Sequence, residues 1–376
     1  LTSAHEEFAM LVDQDGAAPL PLAEGTRPVP ADEQPDTGTA LCPQLPTDLH
    51  YVDDRSPGIT RRVENGKFVY FLPSGKRIRD AAEISRINKL AIPPAYTDVW
   101  ICPDPRGHMQ ATGRDARGRK QYRYHPRWRE IRDSDKYERI LAFGAALPRL
   151  RERLEQHLAL RGMPREKVMA LVVQLLETTL IRVGNSRYAR ENRSYGLTTL
   201  RTRHVAVRGA AIRFQFRGKS GVEHQVTLRN QRLARILRRC MELPGQHLFQ
   251  YLDEAGERHP VSSSDVNQFI QQMTGGDFTA KDYRTWAGSA LALDSLRKRE
   301  WQPEAVARRH LVETVKEVSR QLGNTPAVCR QCYIHPDVLE AFAGGELARL
   351  PRARKRKWLS SEEVTLLKFL TERQPS

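Results

Sequence analysis

Four side chains carry the chemical interest of this sequence: Arg182, Lys219, Arg284 and Tyr333. A tyrosine hydroxyl can attack a phosphodiester, but its pKa near 10 leaves only about a thousandth as phenolate at pH 7. That deficit, roughly 4 kcal/mol, is one that adjacent cations must help to offset. The attacked phosphate gathers charge on its non-bridging oxygens, and the forked, planar donors of arginine match that geometry. Two arginines on separate elements can clamp both oxygens, and losing one such donor typically costs about a hundred- to a thousandfold in rate. A lysine on a mobile turn can protonate the departing 5′-oxygen. Tyr333 is one of eleven tyrosines, and the ordinary state of such a ring is half-buried with its hydroxyl at the surface. The pattern around it is what gives it weight.

The patterning predicts elements that place these groups. From Pro164 to Ile181, Val168, Leu171, Val172, Leu175, Leu176 and Leu180 share one helical face, with Pro164 suited to the first turn and Gly184 just past the end. Arg182 therefore sits where a helix stops. Residues 204–207, 212–216 and 224–228 alternate as short strands, and Gly218-Lys219-Ser220-Gly221 turns the chain between the last two, which puts Lys219 at a hairpin tip. Helical patterns follow over 231–241, 264–273, 283–298 and 303–322, the third carrying Arg284. Nearer the start, 67–71 and 97–102 read as strands, Pro73 to Lys76 as a turn and 81–90 as a helix that Pro93-Pro94 ends. A Gly- and Arg-rich stretch then closes on Gln121, Tyr122 and Tyr124. The expected class is α+β, a small mixed α/β N-terminal domain followed by a mainly α-helical domain with a three-stranded sheet. The expected division is an acidic Pro/Gly-rich arm without fixed structure over 1–50, the α/β domain over 51–134, the catalytic domain over 135–345, and a basic tail with a short helix over 346–376.

Charge narrows the partner. The net charge is +16, yet residues 1–50 carry nine carboxylates against Arg27 alone, which leaves about +24 on the remainder. An excess of that size favours a polyanion, and nucleic acid is the commonest one.

The motifs in order resemble those of the type IB DNA topoisomerases, in the compact bacterial and poxvirus branch. They are Ile181-Arg-Val-Gly184, Glu191-Asn192, Tyr195-Gly-Leu-Thr-Thr-Leu200, Phe216-Arg-Gly-Lys-Ser220, Lys281-Asp-Tyr-Arg-Thr285, and Asn324-Thr325-Pro326 leading to Tyr333. The resemblance covers about residues 60–345. It implies that Arg182 and Arg284 clamp the scissile phosphate, that Lys219 is the general acid and that Tyr333 forms a 3′-phosphotyrosyl link. It also implies a C-shaped clamp around duplex DNA, in which a strand is nicked, swivels and is resealed. Asn324 falls where many members have histidine; an amide still donates a hydrogen bond but supplies no positive charge, and a slower cleavage step is expected. Gln121, Tyr122 and Tyr124 match the family's N-terminal DNA-contacting stretch, with Arg119, Lys120 and Arg123 beside them to meet phosphates. Tyr188, Arg190 and Lys281 are further candidates for DNA contact.

The nearest rival is a tyrosine recombinase, which shares this chemistry but usually shows a His-x-x-Arg box where this chain has Lys281-Asp-Tyr-Arg284. A second rival is a nonenzymatic DNA-binding protein using the same basic surfaces. Gly218-Lys-Ser220 imitates the end of a phosphate-binding loop, but Arg213 occupies the position of the earlier glycine. Cys329 and Cys332 form a lone CxxC with no second ligand pair, and read as helix-borne thiols. No ATP or metal is expected to be required, divalent cations at most stimulating turnover. No apolar run has the length of a membrane span. The expectation is a cytoplasmic, nucleoid-associated monomer whose partner is double-stranded DNA, with no membrane.

Overall fold

A computed structural model of the chain describes residues 48–374, apart from 117, 254 and 302–304. The acidic arm expected over 1–50 lies outside the described residues but for its last three. The chain divides after Lys136 into two compact units, a mixed α/β unit and a mainly helical one, in keeping with the α+β class read from the pattern.

The first unit is a five-stranded antiparallel sheet in the order β2-β1-β3-β4-β5. Its strands are β1 (Ile59–Glu64), β2 (Lys67–Phe71), β3 (Thr97–Ile101), β4 (Met109–Arg114) and β5 (Lys120–Tyr124). β1 is an addition to the expected strands. Its signal lies in Asn65-Gly66, both at positive φ (49° and 73°), with Glu64 paired to Lys67. A two-residue loop of that kind twists the way a hairpin needs. Helix α1 (Ala81–Lys89) starts at Asp80, whose carboxylate accepts from the Ala82 N–H, and seats Ile87 against Ile59, Ile101 and Ala111 of the sheet.

The second unit begins within the long α2 (Pro126–Ala159). The division expected between 134 and 135 thus falls inside a continuous helix, two residues before the observed one. Helix α3 (Arg165–Thr179) is buried on nearly every side, from Val168 to Leu176. A helix apolar all round belongs in the middle of a core. It packs on β8 (Glu223–Arg229), α5 (Gln231–Glu242), β9 (Gln250–Leu252), α6 (Ser263–Thr274) and α7 (Ala280–Arg297). The short α4 (Ser186–Asn192) follows α3, and β6 (Val205–Arg208), β7 (Ala211–Arg217) and β8 form the expected three-stranded antiparallel sheet. Strand β10 (Arg258–Pro260) pairs with β9. Helices α8 (Ala305–Leu322), α9 (Pro326–Cys332), α10 (Pro336–Ala343) and α11 (Ser361–Glu372) complete the unit. The first residues of the helix expected over 303–322 lie outside the described residues.

Residues 346–376, expected as a basic tail with a short helix, bring that helix into the second unit. α11 buries Val364, Leu366, Phe369 and Leu370 and packs on α7. Its Glu363 accepts from Trp286 Nε1 at 3.0 Å and from both terminal nitrogens of Arg151 at 2.8 and 2.6 Å. Arg151 Nε also donates to Glu177 at 2.5 Å, where burial pushes the carboxyl up from its ordinary value. One guanidinium thus ties α2, α3 and α11 together behind the face of α7. Removing the cation would strand two buried carboxylates, so Arg151→Ala is expected to lower unfolding free energy by about 3–5 kcal/mol. Urea unfolding monitored by circular dichroism measures it, and a loss under about 1 kcal/mol would contradict this role.

Candidate active site

The end of α3 is built to turn a side chain outward. Leu180 caps the helix in the left-handed region (φ 54°), its N–H donating to Leu176 O, and the next residues run extended. Leu197 N–H then donates to Arg182 O at 2.9 Å, and Thr198 N–H to Val183 O at 2.7 Å. The two segments approach backbone to backbone, because a Cβ on Gly196 would lie 2.5 Å from Arg182 O and 2.6 Å from Gly184 Cα. Only glycine fits there. Arg182 is thereby held at a fixed height above the helix end.

Lys219 sits in the tight turn between β7 and β8, as the sequence predicted. Gly218 N–H donates to Val222 O at 2.8 Å, and Gly221 takes φ 80°. The turn is anchored by the strand register, in which Phe216 faces His224 and Arg217 faces Glu223, and by Tyr195 N–H, which donates to Arg217 O at 2.8 Å.

Arg284 lies in the first turns of α7, a helix started by Asp282, whose carboxylate accepts from the Thr279 N–H at 2.7 Å and the Thr279 hydroxyl at 3.0 Å. It is only 3% exposed. Its guanidinium donates to the Leu180 carbonyl at the end of α3 and to the Leu322 carbonyl at the end of α8 at 2.7 Å. Helix C-termini carry partial negative charge, so a buried cation is stabilised between two of them. Arg182 reaches the same helix end, donating to Gly323 O at 3.1 Å and to Asn324 Oδ1. The amide nitrogen of Asn324 is buried with no hydrogen-bond partner among the described residues. It is a donor held in readiness.

Tyr333 follows α9, which Thr325 caps through its hydroxyl and Pro326 opens. Its N–H donates to Cys329 O at 2.9 Å. The main chain around it is pinned on two sides. Tyr137 of α2 donates to Gln331 O and Ile334 O at 3.1 and 3.3 Å, and His335 N–H donates to Ser289 Oγ of α7 at 2.9 Å. A Cβ on Gly288 would lie 2.3 Å from Tyr333 O, so α7 meets this segment at glycine contact. The Tyr333 ring is 8% exposed, and the Arg284 guanidinium carbon lies 5.0 Å from its centroid. A cation at that distance is attracted to the electron-rich ring.

The structure thus brings Arg182, Arg284, Asn324 and Tyr333 around the ends of α3 and α8. A cavity of about 20 Å³, the volume of a single water site, opens between Leu180, Arg182, Tyr195, Lys219 and His224. His224 is the residue that sequence reasoning passed over, having been read only as part of a strand. Burial first, then Arg182 and Arg284, hold its imidazole below the ordinary value, Glu223 opposing them.

The remaining candidates are distributed differently. Lys281 is half-buried one turn before Arg284, while Tyr188 is half-buried and Arg190 exposed on α4. In the first unit, Arg119 pairs with Asp115 at 2.6 Å, Lys120 with Asp54, and Gln121 donates to Asp115 at 3.1 Å. Tyr124 is 5% exposed and belongs to the core with Leu49, Met109 and Trp128; it stacks under Tyr122, ring planes 9° apart. Arg123 is buried as well, donating to Ala91 O at 2.7 Å. Being adjacent on β5, these two side chains point to opposite faces of the sheet, and both faces are covered at that end of the strand. Cys329 and Cys332 lie on a helix, α9, as expected, and are buried there; burial pushes the Cys329 thiol up to about 12, which keeps it protonated and unreactive. Among the described residues no group of three or more His, Cys, Asp or Glu is arranged to hold a metal, and no helix is long and apolar enough to cross a membrane.

His224 reports on the electrostatics of this site. It is expected to titrate below about 6.5, and Arg182→Gln should move it upward by removing one of the cations that oppose its protonation. An NMR titration of the imidazole resonances tests this, and an unshifted pKa in the variant would show that Arg182 does not reach it.

Two family models match the chain. The catalytic core of eukaryotic DNA topoisomerase I matches residues 125–355, and the N-terminal domain of bacterial DNA topoisomerase IB matches residues 67–115. The chain is 34% identical over 293 residues to the DNA topoisomerase 1B of Acanthamoeba polyphaga mimivirus, covering 76% of this chain and 87% of that one. It is 24% identical over 264 residues to the DNA topoisomerase I of monkeypox virus and to the DNA topoisomerase 1B of vaccinia virus, covering 68% of this chain and 80% of each.

Proposed function

This chain belongs to the type IB DNA topoisomerases, and for it we propose relaxation of supercoiled duplex DNA through a 3′-phosphotyrosyl link at Tyr333, without ATP or metal. The observation that carries the proposal is the convergence of two guanidinium groups, from different elements, on one helix end beside the Tyr333 ring.

In this reading Arg182 and Arg284 donate to the non-bridging oxygens of the scissile phosphate. A full negative charge gives a stronger, charge-assisted bond than a neutral carbonyl. The Tyr333 oxygen, its proton released to solvent, attacks phosphorus as the bond to the 5′-oxygen breaks, and Lys219 delivers the proton that the departing 5′-oxygen needs. One phosphoester bond is made for each one broken, so the cut strand swivels and the 5′-hydroxyl reverses the step with no nucleotide consumed. Asn324 adds a hydrogen bond from its amide nitrogen without adding charge. Lys281 assists as phosphate ligand or second proton donor. Tyr188 and Arg190 contact the backbone beyond the first clamp arginine. Arg119, Lys120, Gln121 and Tyr122 contact DNA from the first unit, where Asp115 and Asp54 occupy the two cations until phosphates replace them, and Tyr124 supports Tyr122 from beneath. The protein works on the nucleoid as a monomer.

Relaxation of supercoiled plasmid in chelator without ATP tests the proposal. The parent should relax it and yield a detergent-trapped covalent adduct, and Tyr333→Phe should do neither while still binding in a salt-dependent way. Arg182→Ala and Arg284→Ala should each slow cleavage about a hundred- to a thousandfold. Asn324→His should speed it. Binding by the parent without relaxation or adduct would leave only a nonenzymatic DNA-binding protein.

A further inference from the structure

Two glycines of the second unit have no room for a side chain because of one histidine. An ideal Cβ on Gly218 would lie 2.4 Å from the His224 ring, and one on Gly323 would lie 2.4 Å from it too. A third side of the ring stacks on Phe216, centroids 5.1 Å apart and planes 8° apart. Phe216 is also its cross-strand partner in the β7–β8 register, so the hairpin itself fixes where the imidazole stands.

The two glycines are the neighbours of chemically important residues. Gly218 precedes Lys219. Gly323 precedes Asn324, and its carbonyl accepts from Arg182 at 3.1 Å. We propose that His224 is a positioning residue, whose ring is the spacer that sets the separation between the Lys219 turn and the Gly323-Asn324 segment that holds Arg182. The inference rests on the roles proposed above for Lys219, Arg182 and Asn324. Proton donor and phosphate clamp belong to different elements, the β7–β8 turn and the ends of α3 and α8, and His224 touches both sides. A flat ring suits that task, being rigid and filling a slot between two backbones. Its surroundings also keep it neutral. Arg182 and Arg284 face it from the ends of α3 and α7, and Glu223 is its neighbour on β8, so the imidazole acts by its shape.

The test compares His224→Ala and His224→Phe with the parent, measuring relaxation at saturating enzyme alongside plasmid retention on filters and thermal unfolding. His224→Ala leaves the slot empty and should relax plasmid about ten- to a hundredfold more slowly, the effect of a misplacement of about 1 Å, with retention and melting near those of the parent. His224→Phe keeps a flat ring in place and should recover most of that rate. The proposal is overturned if His224→Ala relaxes like the parent, or if its loss is matched by weaker retention or a collapsed melting transition. It is equally overturned if His224→Phe is as slow as His224→Ala, because the ring nitrogens would then matter directly. A parent that forms no Tyr333-dependent adduct would instead remove the functional reading beneath it, a result distinct from all of these.

Discussion

Burying a guanidinium is costly unless its donors find acceptors, and Arg284, 3% exposed, gives its two terminal nitrogens to the carbonyl ends of two helices. Much of the second unit follows from that arrangement. The donors fix the end of α3 at Leu180 and the end of α8 at Leu322 on a common cation. Two residues beyond each of those carbonyls stand Arg182 and Asn324, which bond to each other. The same guanidinium lies beside the Tyr333 ring. One cation therefore locates a second cation, an amide donor and a phenol, each carried by a different piece of chain.

Rigidity behind this cluster comes from packing. α7 carries Arg284 on one side and rests Trp286 on Gly144 of α2, where a Cβ would lie 2.3 Å from the indole. Arg151 and Glu363 lock α11 onto the same indole, which places a helix beyond the family-matched residues 125–355 in direct support of the helix that bears Arg284. Groups held this way are oriented before any phosphate arrives, and such preorganised donors are worth far more than mobile ones.

Much of this was legible in the sequence. The apolar face from Val168 to Leu180, closed by Gly184, located Arg182 at a helix end, and the alternation around Gly218 and Gly221 located Lys219 at a hairpin tip. Both signals are local, so they survive without tertiary information. What escaped was set by contacts distant in sequence. Tyr124 lies in a stretch that reads as basic and aromatic surface, yet strand alternation turns it onto Trp128. His224 looked like one strand residue among several, and its meaning depends on Gly323, ninety-nine positions away. Asn65-Gly66 did signal a hairpin, and with it β1.

The central claim is that the phenol beside Arg284 is the group that takes the phosphate. Trapping the protein on plasmid DNA with detergent, digesting both polymers and locating the nucleotide by mass spectrometry tests that claim most directly. The account predicts a peptide containing Tyr333 joined to the 3′-phosphate of the cut strand. Attachment at any other residue, or through a 5′ end, would contradict it.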